Sequence, residues 1–159
     1  MSGHNLEGMR DIVVFSLDEP RYALPLASVD RVIRIVEITP LPKAPDIVMG
    51  VINMRGQVIP VINLRRRFRL PEREIRLEDR LIIATTSKRP AALVADSVSG
   101  VRRLEERELV IAGQELPYAG YLEGAVKLEE GLCLICDLDR FLSLEEERSL
   151  DAALCGGGQ

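Results

Sequence analysis

The stretch Gly50-Val51-Ile52-Asn53-Met54-Arg55-Gly56-Gln57-Val58-Ile59-Pro60-Val61-Ile62-Asn63-Leu64 sets two apolar runs on either side of a tight turn with one arginine at its tip. Runs rich in Val and Ile that flank a Gly-containing turn read as a β-hairpin. Both arms are apolar at successive positions, so the hairpin must be buried on both faces or covered by another molecule. Arg55 is then a five-donor fork beside apolar surface, suited to a carboxylate or backbone carbonyl on a partner; the plainer reading is that it decorates a turn. Pro60 cannot donate to a ladder and predicts an edge or a bulge.

The same rhythm extends in both directions from this hairpin. Strands are predicted over Ile12–Leu17, Arg21–Leu24, Val29–Val36, Gly50–Met54, Val58–Asn63, Arg80–Thr86, Ala91–Ala95, Val98–Leu104, Leu122–Leu128 and Leu132–Cys136, with turns at 18–20, 55–57, 87–90 and 129–131. Helical spacing is confined to single turns at 46–49 and 64–68 and to the end of the chain. There Leu138, Phe141 and Leu142 recur at helical spacing, and Ser143-Leu144-Glu145-Glu146 fits a capping box. The chain holds 14 Val, 13 Ile and 22 Leu but only 4% aromatics and no Trp. Ten short, aliphatic strands fit two small five-stranded barrels better than one wide lumen, since small barrels fill with such side chains. The fold class is therefore all-β with short connecting helices and a C-terminal helix. One domain is expected over 10–148, with 1–9 and 149–159 as flexible tails.

At 159 residues, a second large domain is excluded, and 47% apolar content argues against general disorder. The formal charge is −4. No apolar run reaches the roughly 18 residues that cross a bilayer, and Met1–Arg10 lacks an apolar leader core, so a cytoplasmic location is expected. Three cysteines at low density fit a reducing compartment.

Candidate chemistry is sparse. Cys133-Leu134-Ile135-Cys136 has redox and metal spacing but reads as strand. Positions three apart there face opposite sides with Cα atoms about 10 Å apart, whereas a disulfide needs less than about 7 Å. Buried, inert thiols are the expectation, and a thiol-redox protein using Cys133 and Cys136 is the alternative. His4 is the only histidine and lies outside the periodic region, which removes the usual component of triads and metal-bound water. The acidic clusters fall on turns and helix faces, where a solvated surface is the default, and Asp96 reads as a turn-former. No phosphate loop is present. Neither catalytic, cofactor-binding nor metal-binding residues are assigned. From Leu64 to Arg80, seven Arg face four acids. A solvated, partly salt-bridged connector is favoured there over a nucleic-acid-binding barrel using Arg65–Arg69, because Phe68 is the only aromatic in the run.

The central motif resembles the GV-x-NLRG and PV-x-DLR signature of the CheW-like chemotaxis coupling proteins. Phe15-Ser16-Leu17 through Tyr22-Ala23-Leu24-Pro25-Leu26, Leu93-Val94-Ala95-Asp96-Ser97-Val98, Tyr121-Leu122-Glu123-Gly124 and Leu134-Ile135-Cys136-Asp137-Leu138 are similar to further segments of that family, in unbroken order over roughly residues 10 to 143. The resemblance implies two interleaved Src-homology-three-like barrels without a catalytic site. It also implies an adaptor that couples methyl-accepting chemoreceptors to the regulatory domain of the histidine kinase CheA at membrane receptor arrays. Receptor-facing positions implied here are Val29, Arg31, Arg55 and Val101, with Gly56 shaping the turn; kinase contact is implied around Gly50. Arg31 stands where the family commonly carries Glu, and the reversed charge would repel a receptor built for the acid unless the partner has changed too. Met54 for Leu and Asn63 for Asp are milder departures, which keep volume and an acceptor respectively. The segment Val110–Glu115, near the second kinase contact of the family, carries no recognisable signature.

Overall fold

Strands that are apolar on both faces need a core on each side, and this chain builds three cores for two sheets. The computed structural model describes residues 8–18, 21–109 and 119–157. In chain order it contains β1 (Met9–Ser16), β2 (Arg21–Pro25), β3 (Val29–Arg34), β4 (Val48–Met54), β5 (Gln57–Ile62), α1 (Leu64–Arg67), β6 (Arg80–Thr85), β7 (Pro90–Ala95), β8 (Ser97–Glu105), β9 (Leu122–Leu128), β10 (Gly131–Cys136) and α2 (Leu144–Gly157). All ten predicted strands are present. They form two five-stranded sheets, ordered β8-β1-β2-β10-β9 and β3-β6-β7-β5-β4. The first sheet takes strands from both ends of the chain and the second only from the middle, so the two units are interleaved.

Side chains alternate between cores with the two-residue period of a strand. In β10, Cys133 and Ile135 enter the interior of the first barrel, while Leu134 and Cys136 enter a central core between the sheets. In β6, Leu81 and Ile83 enter the second barrel, and Ile82 and Ala84 the central core. The largest fully buried side chains of the central core include Phe15, Tyr22, Phe68 and Phe141. Tyr22 stacks on Phe68 at 4.9 Å between ring centroids, and Phe68 meets Phe141 edge-on at 5.8 Å.

The second barrel closes through one bridge, Thr39 to Val51, with N···O distances of 2.9 and 2.8 Å. Pro60 lies on β5, which runs between β4 and β7, so the strand is interior to its sheet. The ladder to β7 opens only at Val61, which leaves a local edge at the proline. Residues 46–47 form a turn closed by Val48 N–H donating to the Pro45 carbonyl at 2.9 Å, and β4 starts at Val48, so no helical turn forms at 46–49.

At the C-terminal end the chain departs from a tail beginning at 149. Helix α2 runs to Gly157, with Leu150 fully buried in the central core and Ala153 also buried. The capping box predicted at its start is present: Glu146 N–H donates to Ser143 Oγ at 3.1 Å, and Ser143 N–H to Glu146 Oε1 at 2.8 Å. Glu19 and Pro20 of the first predicted turn, His4 and the segment Val110–Glu115 lie outside the described residues.

A candidate protein-docking groove and hairpin turn

The chain passes between sheets twice, through a 3-10 turn at Leu26–Ser28 and through Asp96, and the strands that follow, β3 and β8, are each an edge strand. Directly paired residues share a face. Val29 pairs with Ala84 and Val32 with Ile82, both central-core residues. On the other side, Val98 pairs with Phe15 and Val101 with Val13. Ile12 and Val14 fill the first barrel, so Val13 and its partner look toward the central side. Val29 and Val98 pack on the same core, whereas Val32 and Val101 stay 39% and 57% exposed. The two edge strands therefore carry exposed valines on the side of the central core, the candidate walls of a docking groove, with half-exposed Leu26 just before β3.

Arg31 falls elsewhere. A bulge between Val29 and Arg31 shifts the register, and Arg31 pairs with Ile83, whose side chain fills the second barrel. Val29 and Arg31 thus stand on opposite faces of β3. Arg31 is exposed and, among the described residues, pairs only with its neighbour Asp30, at 3.4 Å.

Arg55 and Gly56 are the two-residue loop of the β4–β5 hairpin, closed by the Met54–Gln57 pair. Both have positive φ, 54° and 84°, the pattern of a type I′ turn. Asn53 Oδ1 accepts the Gly56 N–H at 2.9 Å and braces it. This turn favours Asn, Asp or Gly at its first position, so an arginine there is held in an unfavourable backbone region. Among the described residues, the Arg55 guanidinium has no carboxylate partner. The ladders set Arg31 level with Ile83, Ala92, Val61 and Gly50, five residues along β4 from Arg55, so the two arginines do not share one end of the second barrel.

Gly50 is buried, and a Cβ added there would lie 2.4 Å from the Thr39 carbonyl oxygen. Its observable role is to let the closing bridge approach; the exposed surface nearby belongs to Asn53 and Val58, which pair on the outer face of the same hairpin.

A group the sequence reading did not assemble links the two sheets. Arg65 is only 8% exposed. Its Nη1 donates to Asp18 Oδ2 at 2.8 Å and to the Pro71 carbonyl at 2.9 Å, and its Nη2 donates to Asp18 Oδ1 at 3.0 Å and to both Asp96 oxygens at 2.8 Å. Arg73 joins Asp96 to Asp79, which is fully buried. Burial acts to raise the Asp96 carboxyl, but the Asp18 N–H and the two guanidinium groups outweigh it and hold that carboxyl below its ordinary range. The available signal was Asp96 itself, a charge set between two strands and flanked by Ala95 and Ser97. Arg66 and Arg67 are likewise occupied, by Glu72 and by Glu146 with Tyr121. Three of the four arginines in the 65–69 run are therefore structural, and Arg65 is drawn inward rather than solvated as expected; nothing here favours a nucleic-acid face.

Cys133 and Cys136 are free and buried in different cores. Desolvation pushes the Cys133 thiol up to about 11 and raises that of Cys136 further, the opposite of an activated nucleophile. Among the described residues, no cluster of three or more His, Cys, Asp or Glu could hold a metal, and no helix is long and apolar enough to cross a membrane.

Residues 11–146 match the model of the CheW-like domain. This protein belongs to the CheW-like domain family. A chemotaxis protein CheW of Bacillus subtilis is 32% identical over 140 residues, 87% of this chain and 90% of the relative. One of Thermotoga maritima is 30% identical over 132 residues, covering 83% and 87%. The crystal structure of a scaffolding protein, TtCheW of Thermoanaerobacter tengcongensis, superposes with a TM-score of 0.79 at 31% identity over 86% of this chain and 90% of that one. Within the CheW-like motif the geometry explains two positions. Asn63 caps α1 by accepting the Arg66 N–H at 3.1 Å, which Asp would do equally, and the arginine two residues on is the inter-sheet Arg65.

Proposed function

We propose that this protein is a non-enzymatic adaptor of chemotaxis-type signalling. It holds a methyl-accepting chemoreceptor and the regulatory domain of the histidine kinase CheA side by side in the cytoplasm, at membrane receptor arrays. The observation that carries the reading is the pairing of two edge strands that present Val29, Val32, Val98 and Val101 on the central side with an Arg55, free of carboxylates among the described residues, on a braced turn. Apolar walls suit one face of a helical hairpin, and a preorganised Arg fork suits its carboxylates or terminal carbonyls. The names of its relatives, chemotaxis and scaffolding proteins, support the same reading.

Receptor contact is assigned to Val29, Val101, Arg55 and Gly56, with Arg31 as a separate cation on the opposite face of β3. Kinase contact is assigned to the outer face of the hairpin that contains Gly50, through Asn53 and Val58, because Gly50 itself is covered by Thr39. The test is binding of a receptor's cytoplasmic hairpin fragment and of a kinase regulatory domain to purified protein. Arg55→Ala and Val101→Asp should each weaken the receptor fragment by about 1–3 kcal/mol and leave kinase binding unchanged. A folded Arg55→Ala protein that binds the fragment like wild type overturns the assignment.

A further inference from the structure

Both walls of the groove are strands that begin at an inter-sheet crossover, and the two crossovers are built differently. The one before β3 is a three-residue turn, Leu26–Ser28, with no buried residue. The one before β8 is a single residue, Asp96, whose every polar atom is occupied except its carbonyl: its N–H donates to the Ser16 carbonyl at 2.9 Å, and its carboxylate accepts from Asp18 N–H at 2.7 Å, from Arg65 and from Arg73. The next residue is tied as well, Ser97 Oγ lying 2.7 Å from Ser16 Oγ. Two residues after Asp96 comes Val98 and five after it Val101, the groove's first wall. Arg65 reaches the same carboxylate from α1, and Arg73 extends the chain of ion pairs to Asp79, at the foot of the β6 strand that pairs with the opposite wall, β3.

We infer that Asp96, clamped by Arg65 and Arg73, is the hinge that sets the separation and angle of the two groove walls, so that capture of a partner depends on a carboxylate that never touches it. This positioning role rests on the groove being the partner site proposed above. A carboxylate held by two guanidinium groups and a backbone N–H fixes direction as well as distance, which one hydrogen bond does not. The other crossover has no comparable tie, so with Asp96 loosened the Arg65–Asp18 pair and packing are left to hold the two walls.

The experiment measures wall separation and binding independently. Spin labels at Val32→Cys and Val101→Cys, in a Cys155→Ser background with Cys133 and Cys136 buried, report the distance distribution by pulsed electron spin resonance. Binding of the receptor hairpin fragment is measured on unlabelled protein. Asp96→Asn should widen the distribution and weaken binding by about 5-fold or more. Glu72→Gln, which removes the charge paired with Arg66 and keeps an oxygen for Asn63 Nδ2, should change neither. Arg73→Gln keeps Arg65 in place and supplies the same comparison if Asp96→Asn does not fold. A folded variant with the wild-type distribution overturns the hinge, as does a widened distribution with unchanged binding. A widened distribution when wild type itself fails to bind the fragment supports the hinge and overturns the receptor assignment instead.

Discussion

Gly50→Ala separates a contact residue from a structural one. The added Cβ would meet backbone, the Thr39 oxygen at 2.4 Å and carbon at 2.9 Å, which cannot rotate away as a side chain would. Relief requires the 36–47 connection to lift, and with it the two hydrogen bonds between Thr39 and Val51 that close the second barrel. Each such bond contributes about 0.5–1.5 kcal/mol net, and the φ of 156° adds about 1 kcal/mol of backbone strain for an L-residue. The expected loss is about 3 kcal/mol, lowering Tm by about 6–12 °C in a chain of this size. With no Trp in the sequence, far-UV circular dichroism in urea is the suitable probe. A variant whose urea midpoint equals wild type, with weakened kinase binding, would refute the closure argument and restore Gly50 as a direct contact.

Thiol titration of the native protein with an aromatic disulfide reagent should release one equivalent promptly, from exposed Cys155, and the remaining two only in denaturant, because Cys133 and Cys136 are buried with raised thiol pKa values. Rapid loss of all three, or a Cys133–Cys136 disulfide in oxidised material, would contradict the strand geometry. Acid should destabilise the fold through Asp79 and Asp96. Both carboxyls lie below their ordinary 3.8 in the folded state, so their contribution is complete above that value and is lost as pH falls through the folded values. Urea midpoints measured from pH 6 to pH 2 should show this acid limb in wild type and a shallower one in Asp96→Asn; identical slopes would remove Asp96 from the account.

Strand positions were legible because the chain uses aliphatic runs at strand length with Gly, Pro and charged turns between them, and all ten runs became strands within a few residues. The three-core arrangement was implicit in the doubly apolar hairpin, whose two faces demanded two coverings. Long-range ion pairing was not legible: Asp18 and Arg65 are 47 positions apart, and nothing local marks one as the partner of the other. Nor was the bulge that turns Arg31 away from Val29, since a two-residue spacing in a regular strand places both on one face. The continuation of α2 past residue 149 was hidden by the glycines after Cys155, although Leu150, Ala153 and Leu154 keep helical spacing and anchor it.

The interleaved strand order also bears on how the chain acquires its shape during synthesis. All five strands of the second barrel leave the ribosome in one unbroken block, so that unit can close early. The β1–β2 hairpin, made before it, has to wait for β8 and β10 before its remaining edges are paired, and meanwhile it exposes Ile12, Val14 and Ala23. A truncation that stops translation at residue 96 therefore leaves an orphaned apolar hairpin beside a closed barrel, the arrangement most prone to pair with another copy of itself.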